Sequence, residues 1–166
     1  MTTPRDIGAS SDNQTGQVSE SDAFARWLEL ISGTPELAEQ ARSAVDDSET
    51  MPEFFSLMEA LASIRLAVQA DIKDDETFEE MMLAMCGTRQ LPAPDLPDEP
   101  PQGPARISVL LDTLLEHAPR FGKRMIVLDD EDDSWNVVLV DEQQGDEFLR
   151  LCEQLGVGIM EQDQWQ

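Results

Sequence analysis

The feature that most constrains this fold is a pair of β-branched, apolar runs flanking five consecutive acids. Residues 125–130 (MIVLDD) and 135–141 (WNVVLVD) bracket Asp129, Asp130, Glu131, Asp132 and Asp133. Such residues suit a pleated, packed surface, and a tight polar connection between two of these runs reads as a β-hairpin.

The elements around the hairpin follow from periodicity. Phe24, Trp27, Leu28 and Ile31 recur at helical spacing, with Ser21 a candidate N-cap and Gly33 a stop. Thr34-Pro35 restarts a helix whose thin apolar face is Leu37, Ala38, Ala41 and Val45. Thr50 and Glu53 have the spacing of a capping box, ahead of a helix that buries Phe54, Phe55, Met58 and Leu61. The period then becomes two: Ile64, Leu66, Val68, Ala70 and Ile72 alternate with mostly polar neighbours, as on a strand with one covered face. Asp74 or Asp75 caps a helix carrying Phe78, Met81, Met82 and Met85, read as core. Residues 91–104 hold six prolines and form an extended spacer. Ile107, Leu110, Leu111, Leu114 and Leu115 mark an amphipathic helix, Phe148, Leu149, Cys152 and Leu155 another, and VGIM (157–160) a last short strand.

The order from residue 63 onward is β-α-(Pro loop)-α-β-β-α-β. With the two helices around the proline loop counted as one crossover, this is the split β-α-β pattern of a ferredoxin-like α+β fold. That reading expects strand order 4-1-3-2 and both helical crossovers on one face. It divides the chain into a disordered tail (1–18), N-terminal helices (19–62) at a sheet edge or extending the helical layer, an α+β domain (63–162) and a ragged C-terminus (163–166).

Charge narrows the function classes. The chain has 35 Asp and Glu against 11 Lys and Arg, a formal net charge of -24, whereas a small domain needs only about 2–8 for solubility. This excess disfavours nucleic acid and anionic membrane and favours a basic protein partner; no basic stripe exists to release counterions from a phosphate backbone. No apolar run approaches the ~18 residues of a membrane span, and residues 1–18 lack the apolar core of a secretory signal. Cys86 and Cys152 do not make a disulfide framework, and a cytoplasmic location is expected. A homodimer is also compatible with a bare sheet surface.

Candidate sites are few. The acids 129–133 have three readings: a site for a hard cation, a docking face for a basic groove, or a solvated turn whose charges block edge pairing. The EF-hand pattern is absent, because counting from Asp130 the sixth position is Trp135 and the twelfth Asp141. Trp135 reads equally as a contact anchor beside the acids or as a cross-strand packing residue. Asp71 and Lys73 form a possible second patch at the end of the first strand, while Asp74 and Asp75 suit capping. His117, the only histidine, reads as a partner of a helix C-terminus rather than a base. No cofactor motif, no zinc-ligand spacing and no nucleophile–base pairing is present.

Asp71-Ile72-Lys73-Asp74-Asp75 resembles the strand-ending Asp-Trp-Lys-Asp-Asp of a bacterial domain-of-unknown-function family, with Ile72 in place of the Trp. Asp132-Asp133-Ser134 and Leu155-Gly156 are similar to that family's acidic hairpin and Leu-Gly strand entry, so the resemblance spans residues 50–160. It implies no activity and no catalytic residues. The expectation is a non-catalytic, acidic protein-binding module, such as an inhibitor, immunity protein or adaptor. The alternative is a regulatory domain for a small ligand or divalent cation.

Overall fold

A computed structural model of the chain describes residues 19–46, 50–96, 102–129 and 133–165. Three helices come first. In α1 (Glu20–Ser32) Ser19, not Ser21, is the cap, its hydroxyl accepting from the Asp22 amide at 3.2 Å. Gly33 ends α1 with φ of 85°, a left-handed value that costs a side-chain-bearing residue about 1–2 kcal/mol. Thr34 then caps α2 (Pro35–Ala44), while α3 (Phe54–Ser63) starts at Glu53 with no side-chain cap bond.

The first strand, β1 (Val68–Asp71), is shorter than the alternation from residue 63 implies. Helix α3 runs through Ser63, and the Leu66 amide turns back to the Leu61 carbonyl at 3.0 Å. Arg65 sits at φ of 65° in that turn. There follow α4 (Asp75–Thr88), α5 (Pro104–His117), a 3-10 turn (Ala118–Phe121), β2 (Lys123–Asp129), β3 (Ser134–Asp141), α6 (Gly145–Leu155) and β4 (Gly158–Met160).

The architecture is α+β, with a four-stranded antiparallel sheet of order β1-β3-β2-β4. The hairpin pairs as expected, with Val127 opposite Val137. The ferredoxin-like order 4-1-3-2 is not found: β4 adds beside β2 instead of β1. Gly158 permits that join, since a Cβ there would lie 2.7 Å from the Asp129 carbonyl oxygen.

The change of edge also changes the layers. The connections β1-α4-α5-β2 and β3-α6-β4 each step over one strand in the same direction across the sheet, from strands pointing opposite ways. Crossovers of one hand must then lie on opposite faces. One core accordingly packs α1, α3 and α6 (Trp27, Leu57, Phe148 and neighbours) on Ile126, Leu128, Val138 and Val140. The other packs α4 and α5 (Phe78, Met82, Met85, Leu110, Leu114) on Val68, Met125, Val127, Val137 and Leu139. Burying each such side chain contributes about 2 kcal/mol. Trp27 lies between Phe24 and Phe148, with centroid separations of 6.2 and 5.5 Å. Phe55 is exposed, not core.

The C-terminus is docked rather than ragged as far as residue 165. Trp165 is buried, its Nε1–H donates to Asp112 at 3.0 Å, and its carbonyl accepts from Ser108 at 2.7 Å. The expectation for residues 1–18 lies outside the described residues.

Candidate functional site

Antiparallel pairing brings the two acidic segments of the sequence together. Asp71 at the end of β1 stands opposite Ser134 at the start of β3, and the Ile72 amide donates to the Asp133 carbonyl at 3.2 Å. The turn leading into α4 therefore lies against the base of the hairpin tip. It is tightly organised: Asp71 Oδ1 accepts from the Lys73 amide at 2.8 Å, and the Asp74 amide donates to the Asp71 carbonyl at 3.0 Å. Asp74 accepts from both the amide (3.0 Å) and the hydroxyl (2.7 Å) of Thr77, which holds its carboxyl below the ordinary aspartate range. Asp71, Lys73 and Asp133 are exposed and Asp129 half-buried. Asp130, Glu131 and Asp132 lie outside the described residues.

Trp135 stands opposite Ala70, half-buried against the α4–α5 core. Its Nε1–H is buried without a partner among the described residues. This is the cross-strand position that the sequence allowed, at the inner border of the acidic end. On the opposite face of β3, Asn136 is fully buried and its Oδ1 has no partner among the described residues.

Six of the ten described Lys and Arg side chains form ion pairs within the chain. Arg26 forks onto Glu147 (2.8 and 3.1 Å) and reaches Glu29, so Glu147 is held below the ordinary glutamate range by the Arg26 guanidinium. Arg42 pairs with Glu39, Arg106 with Asp75 and Glu79, Lys123 with Asp141, and Arg124 with Asp146. Arg89, which the sequence did not single out, is buried. Its guanidinium donates to the carbonyls of Ile31 (2.7 Å) and Leu139 and to Asp141 at 3.4 Å. Burial weakens its hold on its proton, with the Asp141 charge opposing that shift.

Two concavities lie away from the acidic end. A cleft of about 390 Å³ between α1, α2 and the end of β3 includes Arg26, Thr34, Arg42, Asp141 and Gln144. A groove of about 630 Å³ lies between α5 and residues 93–95 of the proline-rich stretch. His117, at the end of α5, borders that groove. Among the described residues no group of three or more His, Cys, Asp or Glu is placed to hold a metal ion. No helix among them is long and apolar enough to cross a membrane. Cys86 and Cys152 are free and buried, and burial pushes both thiols up to about 11.

The fold defines a small α+β domain in which an antiparallel sheet carries helices on both faces and has Asp71, Asp129 and Asp133 at one end. The chain belongs to the DUF6630 family, a domain of unknown function, whose family model matches residues 23–163. No curated protein and no solved structure matches it.

Proposed function

We propose that this domain is a non-catalytic binding module whose acidic sheet end docks a basic protein partner, in the manner of an inhibitor, immunity protein or adaptor. The observation that carries the reading is the joining of Asp71, at the head of one acidic segment, to Asp133, at the end of the other, by the Ile72–Asp133 bond and the Asp71–Ser134 register. Asp71, Asp129 and Asp133 then stand at one rim of a chain with net charge -24. Such a field accelerates encounter with a basic surface and repels wrong partners. Trp135 supplies an aromatic edge at the inner border of that rim. A cytoplasmic setting fits the two free thiols. The test is affinity capture by the whole chain and by a variant carrying Asp129, Asp130, Asp132 and Asp133→Asn. Capture by the first that the second loses supports the reading; equal capture by both removes it.

A second reading, a small-ligand regulatory domain, is favoured by the cleft beside α2, whose lining includes Arg26, Arg42, Gln144, Leu30 and Ala38. It expects melting to rise with a bound metabolite by mass action, and the acidic variant to leave that rise unchanged.

A further inference from the structure

We propose that the groove beside α5, at the other end of β2 from the acidic hairpin, receives an arginine side chain of the basic partner. The inference rests on the reading of a basic partner but names a different surface. The groove is walled by residues 93–95 on one side and by Asp112, Glu116, His117, Arg120 and Phe121 on the other. Phe121 is 44% exposed, one of two large hydrophobic side chains so placed among the described residues. Its ring lies 4.9 Å from the His117 imidazole, tilted by 53°. His117 does not swing freely, because its Nε2–H donates to the Pro92 carbonyl at 2.6 Å. That bond ties the start of the proline-rich stretch to α5, beside the corner made by the two aromatic rings.

Three carboxylates, Asp95, Asp112 and Glu116, line the same groove. Asp95 and Glu116 make no hydrogen bond or ion pair among the described residues, whereas Asp112 Oδ1 accepts from Trp165 and Gln162. With Arg120 the one arginine in the wall, three carboxylates leave the groove net negative. An aromatic face beside unpaired carboxylates fits a guanidinium better than any other side chain. The planar cation stacks on the ring while its N–H groups fork onto a carboxylate. An ammonium has no plane to stack and no fork.

The test is an amide-resolved NMR titration of the whole chain with the peptide acetyl-Gly-Arg-Gly-Arg-Gly-amide, beside its lysine and citrulline counterparts. Shifts concentrated on Asp95 and residues 116–122 are expected. The arginine peptide should bind about five-fold more tightly than the lysine one, with citrulline weaker than both. Phe121→Ala, at an exposed position, and Glu116→Gln should each weaken it about five-fold. Shifts confined to 71–75 and 129–135, or equal for arginine and lysine, would overturn the groove and leave the basic-partner reading standing. No shift anywhere with either cationic peptide would overturn both.

Discussion

Arg89 shows how one side chain couples the two halves of the molecule. It leaves the end of α4, passes beside Gly33, and bonds the last turn of α1 to β3. Arg89→Met leaves two carbonyls and Asp141 without that donor, and an unfolding loss of about 3 kcal/mol is expected in urea. Gly33→Ala should cost about 1–3 kcal/mol, because the left-handed backbone is strained with a side chain and the added Cβ would lie 2.5 Å from Arg89 Nη2. The two changes should be non-additive in a double-mutant cycle, since they act on one contact; simple addition would argue against the coupling. Asn136 is the reverse case. Its buried, unpartnered Oδ1 lies among Val138 and Leu128 on a sheet face, so Asn136→Val should raise the urea midpoint, by about 1 kcal/mol in stability. A lowered midpoint would show that the oxygen has a partner. Neither residue was legible in the sequence. An arginine after an apolar helix looks like a solvent-facing end, and an asparagine inside a strand looks like an outward position.

Most elements were legible, because their periods are strong; their arrangement was not. The helix faces of α1, α5 and α6, the hairpin and the final strand follow from spacing alone. The edge to which β4 adds does not, and on it depends whether the crossovers share a face. The available signal was the unbroken apolar runs Ile126-Val127-Leu128 and Val137–Val140, which alternate between the two cores. A sheet covered on both faces reads as continuous hydrophobics, whereas a one-sided sheet alternates. The strand over residues 63–67 failed for another reason: a helix ending in a left-handed turn can imitate a short period of two. The layer of α1 on α6 carries its own pH signature through Arg26 and Glu147. Because Glu147 is depressed in the folded state, its contribution is present above its ordinary value of about 4.3 and is lost as pH falls through the lower folded value. Both side chains are more than a third exposed, so the effect is small, about 0.5 kcal/mol. Glu147→Gln should lower stability by that amount at pH ~7 and by less at pH ~3. An unchanged difference at both pH values would contradict the assignment.

At the scale of the whole molecule, charge dominates. A net charge of -24 opposes compaction, so the melting temperature should rise as salt is raised from about 0.02 to 0.5 M. A flat or falling response would mean that the chain's own ion pairs outweigh its repulsion. The two candidate patches were legible in the sequence, but their juxtaposition became visible only at this scale. Asp71 and Asp133 are 62 positions apart in the numbering, and the sheet register makes them neighbours. The same charge that strains the folded state should draw the partner in. The most direct measurement of the central claim is therefore the association rate between the intact chain and the protein it captures, as a function of ionic strength. With an acidic docking face, the rate falls at least about ten-fold between low and ~0.5 M salt, dissociation changes little, and the four Asp→Asn substitutions at the hairpin flatten the slope. An association rate indifferent to salt, or a slope unchanged by those substitutions, would contradict docking through this end of the sheet.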